Sequence, residues 1–187
     1  MSKTTNSIKK IFNLSSIGPK PRKKSQLWMK DVGFDEAPWY RERMGLRELE
    51  DFLEVADNRI DHVKITTLQV LGHPKEWLER KIKLYKKHSI QPYLDHGYFL
   101  KAFKKGKVNE AIDAAANLGF SAMEFMNTFG DIPENQIKDW CNRAIKNGIN
   151  IIYEHHPESG WRKTKKNIPA TLKQIIETAD RFFDYGA

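Results

Sequence analysis

The sequence predicts an α/β protein built on a parallel sheet, and three observations carry that prediction. Apolar runs of strand length alternate with amphipathic helical stretches at a spacing of about 30 residues. Each apolar run ends in polar or ionisable residues. Proline and glycine punctuate the helices: Pro133 and Gly148 bracket "PENQIKDWCNRAIKNG", and Gly119 closes "VNEAIDAAANLG". Right-handed crossovers would bring all strand C-terminal ends to one edge. Parallel βα proteins place their chemistry there, whether the sheet is open or closed into a barrel.

The elements follow in order. "LWMKDVG" (27–33) reads as the first strand, and "GLRELEDFLEVAD" (45–57) as a helix with Leu46, Leu49, Phe52, Leu53 and Ala56 on one face. "IDHVKITT" (60–67) is the second strand. "HPKEWLERKIKLYKKH" (73–88) is helical, its apolar stripe formed by Trp77, Leu78, Ile82 and Leu84. "IQPYLDHG" (90–97) is the third strand, 108–119 a helix, "FSAMEFMN" (120–127) the fourth strand and 132–148 a helix. "INIIYEHH" (149–156) is the fifth strand, and 168–186 the last helix. Residues 1–24, with "GPKPRKK", read as a basic, mobile arm, and 25–187 as one domain.

Composition narrows the function. The 187 residues are 40% hydrophobic and 30% charged, within the globular range. No apolar run approaches the roughly 20 residues that span a bilayer, so no membrane partner is expected. The N-terminus lacks the continuous apolar segment of a secretory signal. Cys141 is the only cysteine, which excludes an intrachain disulfide and a Cys-based zinc site. A cytoplasmic protein is expected. The net charge of +8 is concentrated at Lys20 to Lys24, Lys101 to Lys107 and Arg162 to Lys166. These clusters lack the interleaved aromatics of a single-strand binder, so nucleic acid is not the expected partner. A positive field also suits a small anionic substrate.

The strand ends carry the candidate chemistry. In order they present Asp31; Lys64 with Thr66 and Thr67; Asp95 and His96; Glu124 and Asn127; and Glu154, His155 and His156. An ionisable group at all five ends predicts one shared pocket. Glu124 follows Phe120 and Ala122 at period two, and an ionised carboxylate on that face needs a cation or strong hydrogen bonds. Lys64 alternates with His62 and Thr66. The two could form a purely structural ion pair, or an acid/base lysine and anion clamp beside metal-binding carboxylates. Asp95, Glu124, Glu154 and His156 make a candidate metal set. Carboxylates favour Mg²⁺ or Mn²⁺, and added imidazoles shift the preference toward Mn²⁺, Fe²⁺ or Zn²⁺. A metal-dependent sugar or keto-acid isomerase or aldolase would use such a set. No P-loop, dinucleotide-binding glycine pattern or Gly-x-Ser-x-Gly elbow is present.

The order of motifs resembles the phosphosulfolactate synthase family of coenzyme M biosynthesis and related sulfonate metabolism. The resemblance rests on "KPRKK", "DVG" (31–33), "GLRELEDFLEVADNRIDHVKI" (45–65), "KIKLYKKHSIQPY" (81–93), "AANLGFSAMEF" (115–125), "DIP" (131–133), the glutamate of "YEHH" and the final "DYGA". It implies a parallel (β/α) barrel of TIM type. It also implies a Mg²⁺-dependent lyase that adds sulfite to phosphoenolpyruvate, with Asp31, Lys64, Glu124 and Glu154 at the active-site strand ends. The chain departs from the family at Thr66 to Gln69, where a Gly-Trp-Gly-Thr run is usual. It departs again at Asp95 to Gly97 in place of Gly-Gly-Thr, and at His156 in place of glycine. Each change puts bulk or charge where backbone would approach a small ligand. About five of the eight βα units are present, so the barrel is expected to be incomplete and the chain to self-associate through its open edges. An inactive fragment serving in binding or assembly is the alternative to an enzyme.

Overall fold

Alternation at period two gives each strand one apolar face, and that face decides where the helices go. The computed structural model describes residues 18–22, 26–32, 44–56, 59–126, 132–154 and 172–187. The elements run β1 (Trp28–Asp31), α1 (Leu46–Ala56), β2 (His62–Ile65), α2 (Thr67–Gly72), α3 (Lys75–Lys87), β3 (Gln91–Leu94), α4 (His96–Lys104), α5 (Val108–Leu118), β4 (Ala122–Phe125), α6 (Glu134–Lys146), β5 (Asn150–Tyr153) and α7 (Leu172–Asp184). The five strands form one sheet in the order β1-β2-β3-β4-β5, and every pairing is parallel. Sequential order with a helix between neighbours is the winding of an incomplete (β/α) barrel.

Val63, Ile65, Leu94, Met123, Phe125 and Ile151 lie on one side of the sheet and join a single core with Leu49, Leu53, Leu78, Ile82, Ile112 and Trp140 from the helices. The alternate positions face the other way, toward what would be the barrel lumen. Trp28 stacks on His62 at 4.0 Å and meets Tyr93 edge-on at 5.2 Å, and Lys64 and Glu124 project beside them. Lumen layers in closed barrels are dominated by branched aliphatics. This face is instead aromatic and charged.

The strands are shorter than the sequence runs. Each has four residues, and the polar residues after them either begin a helix or leave the sheet. Two helices were hidden in this way. Thr67–Gly72 and His96–Lys104 read as strand end and loop, yet Asp95 N-caps α4 by accepting from the Tyr98 amide at 3.2 Å. Phe99 holds α4 on the core, stacked on Phe125 at 4.8 Å and edge-on to Trp140 at 5.8 Å. Gly119, in the left-handed region at φ 91°, ends α5 as its sequence suggested.

Most of the N-terminal arm lies outside the described residues, but 18–22 is tied down. Lys20 donates to the His88 carbonyl at 3.0 Å. Arg22 grips Asp61 through Nε at 3.0 Å and Nη2 at 2.8 Å, and the same carboxylate oxygen accepts from the Leu27 amide at 2.9 Å. Part of the basic run is therefore a staple between the entrance to β1 and the entrance to β2, not a mobile arm.

Gly97 sits where α4 meets α2, and a Cβ there would lie 2.8 Å from Thr67 Oγ1 and 3.3 Å from Asp95 Oδ1. Both atoms are held by their own hydrogen bonds. Gly97→Ala should therefore cost about 1–3 kcal/mol in denaturant unfolding. Gly18→Ala, with nothing within 4 Å of the new methyl, should leave the midpoint nearly unchanged.

Candidate functional site

Four side chains meet at the C-terminal edge of the sheet, each delivered by a different element. β2 supplies Lys64, β4 supplies Glu124, Glu154 follows β5, and the β3–α4 junction supplies His96. The junction is rigid because Asp95 clamps two helix starts. Besides capping α4, it accepts from the Thr67 amide at 3.1 Å and bonds the Thr67 hydroxyl. The first amide of α4, that of His96, donates to Glu124 Oε2 at 2.9 Å.

Lys64 Nζ lies 2.6 Å from Glu124 Oε1 and 3.7 Å from Glu154 Oε1. His96 Nδ1 bonds Glu154 Oε2 and stands 3.6 Å from Glu124 Oε2. The Glu124 side chain is only 4% exposed, against 21% for Glu154. Hydrogen bonds to Glu124 and Glu154 raise His96 to about 9, so it is a cation at neutral pH. Burial pushes the Glu124 carboxyl up, and the neighbouring Glu154 carboxylate adds to the effect. Burial acts upward on Glu154 as well, but its bond to His96 and its nearness to Lys64 override it and hold the group well below the usual carboxylate range. Two carboxylates in contact with acidities driven apart, beside a lysine, have the chemistry to give and take protons.

The structure thus brings together Lys64, Glu124 and Glu154, as expected, and adds His96, which the sequence showed only as one of several polar strand-end residues. Two expectations are corrected. Asp95 does not join the group as a metal ligand, because both its oxygens are committed to the α2 and α4 starts. Asp31 does not face the same pocket. It pairs in register with Ile65, not Lys64, so period two turns it to the helix side of the sheet. There it is 1% exposed and bonded to Lys81 Nζ at 2.6 Å and to the Tyr85 hydroxyl at 2.6 Å. Gln69 Nε2 donates to the Asp31 carbonyl at 2.6 Å, and Lys81 also donates to Gln69 Oε1 and the Met44 carbonyl, each at 3.0 Å. His156 lies outside the described residues.

His96, Glu124 and Glu154 each place one ligand atom within 4.8 Å of the others, the only such group of three among the described residues. Two carboxylates can hold a divalent ion, and the imidazole gives a mixed nitrogen and oxygen set of the kind Mn²⁺ or Zn²⁺ takes. The ammonium of Lys64 and the imidazolium of His96 balance the same carboxylates. An ion would therefore enter in exchange for the His96 proton.

The model of the family (2R)-phospho-3-sulfolactate synthase (ComA) matches residues 16–187. The phosphosulfolactate synthase of Methanocaldococcus jannaschii is 29% identical over 139 residues, 74% of this chain and 54% of that protein. That of Methanothermobacter thermautotrophicus is 24% identical over 135 residues, 72% of this chain and 48% of that one. The chain thus spans about half the length of these relatives. Two solved structures are looser likenesses. The debranching enzyme of Nostoc punctiforme has a TM-score of 0.46 at 10% identity, covering 72% of this chain and 48% of its own. A sugar phosphate isomerase/epimerase from Parabacteroides distasonis has 0.36 at 15%, covering 74% and 61%.

Two outcomes follow from the charges. Lys81→Met would leave Asp31 buried without its cation and should cost about 3–5 kcal/mol in guanidinium unfolding. Lys75→Met, which breaks only an exposed pair with Glu79, should cost little. For His96, the folded-state value of about 9 lies above the ordinary 6.5. Its ion pairs therefore stabilise the fold fully below about pH 6.5, and that contribution is lost as pH rises through about 9. In the metal-free protein its ring resonances should titrate near 9. A midpoint near 6.5 would mean the contacts to Glu124 and Glu154 are absent.

Proposed function

Because the chain belongs to the (2R)-phospho-3-sulfolactate synthase family, we propose that this site forms a carbon–sulfur bond by adding sulfite to phosphoenolpyruvate or a closely related enol phosphate. The observation that carries the reading is the Lys64 ammonium held between Glu124 and Glu154 at the mouth of a parallel sheet. Sulfite sulfur attacks the methylene carbon, and the double-bond pair moves to C2 and spreads into the substrate carboxylate. Lys64, a preorganised cation, faces the charge that develops there. It then passes a proton to C2. Glu124 lies 2.6 Å away, and burial raises its affinity for a proton, so it can relay one back to the lysine. Glu154 stays ionised and keeps His96 protonated and in place.

A divalent cation, Mg²⁺ by family resemblance, would be held by Glu124 and Glu154, with His96 as third ligand for Mn²⁺ or Zn²⁺. When bound it would supply positive charge to the substrate carboxylate.

The assay is product formation from sulfite and phosphoenolpyruvate, followed by ³¹P NMR with and without added Mg²⁺ or Mn²⁺. Turnover is expected, and Lys64→Ala should lower it by about 10²–10⁴-fold while the chain remains folded at the assay temperature. A folded chain that forms no product under either metal would overturn the reaction. Full turnover by the alanine variant would make Lys64 structural only.

A further inference from the structure

A groove lies on the helix layer between α1 and α3. Leu46 and Glu50 of α1 and Arg80, Lys83, Leu84 and Lys87 of α3 line it, and it encloses about 280 Å³. The two leucines are half-buried, and the four charged residues around them are exposed. Three cations and one carboxylate thus rim an apolar seat. Arg80, Lys83 and Lys87 form no ion pair with any described residue. An apolar cavity of about 150 Å³ already takes a benzene ring, so the groove has room for a phenylalanine side chain.

A surface of complementary character lies on α7. The inner face of that helix is held to β5, where Phe182 stacks on Tyr153 at 4.0 Å. Its outer face leaves Ile176 50% and Phe183 67% exposed, and the exposed acids Glu177, Asp180 and Asp184 follow the same stripe. Glu177 meets Lys173 at 3.7 Å in an exposed pair, of the kind that contributes little. Asp180 and Asp184 form no ion pair with any described residue.

The two surfaces also agree in spacing. The cations of α3 stand three and then four residues apart, and so do the acids of α7. With the two helices running the same way, Arg80, Lys83 and Lys87 fall opposite Glu177, Asp180 and Asp184, and Phe183 comes within one helical turn of Leu84. One chain cannot make this contact with itself. Lys81 ties α3 to the end of β1, Phe182 ties α7 to β5, and β1 and β5 are the opposite edges of the sheet.

We propose that α7 of one copy of this chain docks in the α1–α3 groove of a second copy, with Phe183 seated against Leu46 and Leu84. The seated ring supplies most of the affinity, and the surrounding charges select the partner and fix its direction. The groove and α7 are different surfaces, so the contact is head-to-tail, and its repetition builds rings or longer chains. It is separate from any pairing of open strand edges. It also lies away from the mouth of the sheet and does not depend on the reaction proposed there.

The test is sedimentation equilibrium of the full chain over a concentration series, at low and at high salt. The parent should associate, and less so at high salt. Phe183→Ser should raise the dissociation constant by about ten- to a hundredfold, and Lys83→Glu by about tenfold. Both positions are exposed, so both variants should keep parental thermal unfolding. Lys83→Glu combined with Asp180→Lys in one chain should recover most of the association. The two single variants, mixed, should form a one-to-one pair and nothing larger, because Lys83→Glu keeps its α7 intact and Phe183→Ser keeps its groove. A parent that stays monomeric at every concentration overturns the proposal and leaves the groove to some other molecule. Association that neither variant weakens overturns it too, and assigns the contact to the open strand edges. Variants that weaken association but do not complement each other overturn the head-to-tail arrangement.

Discussion

A carboxylate cannot stay ionised in a protein interior unless cations and hydrogen-bond donors surround it, and Glu124 organises the mouth of this sheet through that requirement. At 3% exposure it draws Lys64 from β2, the first amide of α4 and the imidazole of His96 around one carboxyl group. Those partners come from widely separated parts of the chain, so the pairing also fixes the relative placement of two strands and one helix. Removing either member of the Lys64–Glu124 pair would leave its partner in an environment built for both.

The same physics operates a second time on the other side of the sheet, with a different result. Asp31 and Lys81 are both fully enclosed and are joined by Tyr85 and Gln69. That quartet ties the end of β1 to α2 and α3. Its donors and acceptors are spent on one another, so it braces the sheet under the mouth. Glu154, Lys64 and His96 keep part of their surface, as groups that handle a small molecule must.

Much of this was legible in the sequence. Five strands alternating with helices, the helix faces of α1 and α3, the glycine stop after α5 and the meeting of Lys64 with Glu124 and Glu154 all follow from periodicity and spacing. The misplacement of Asp31 came from aligning strand ends by their polarity alone. One residue of register separates Lys30 from Asp31, and it reverses which of them faces the site. Asp95 was read as a ligand because a capping aspartate and a strand-end aspartate look alike until a helix is seen to start there. Lys81 had a signal that went unused. It lies three residues past Leu78 and four before Tyr85, on the buried face of α3, where a charged residue must have a partner. His96 offered nothing of this kind, since its role depends on a turn formed by Thr67, twenty-nine positions earlier in the sequence.

The central claim is that Lys64 and Glu124 act as one unit. A double-mutant cycle on unfolding free energy, with Lys64→Met, Glu124→Gln and the pair, measures it directly. The account predicts a coupling of about 1–3 kcal/mol, the double variant being scarcely less stable than the worse single one. Additive costs, with a coupling near zero, would contradict it.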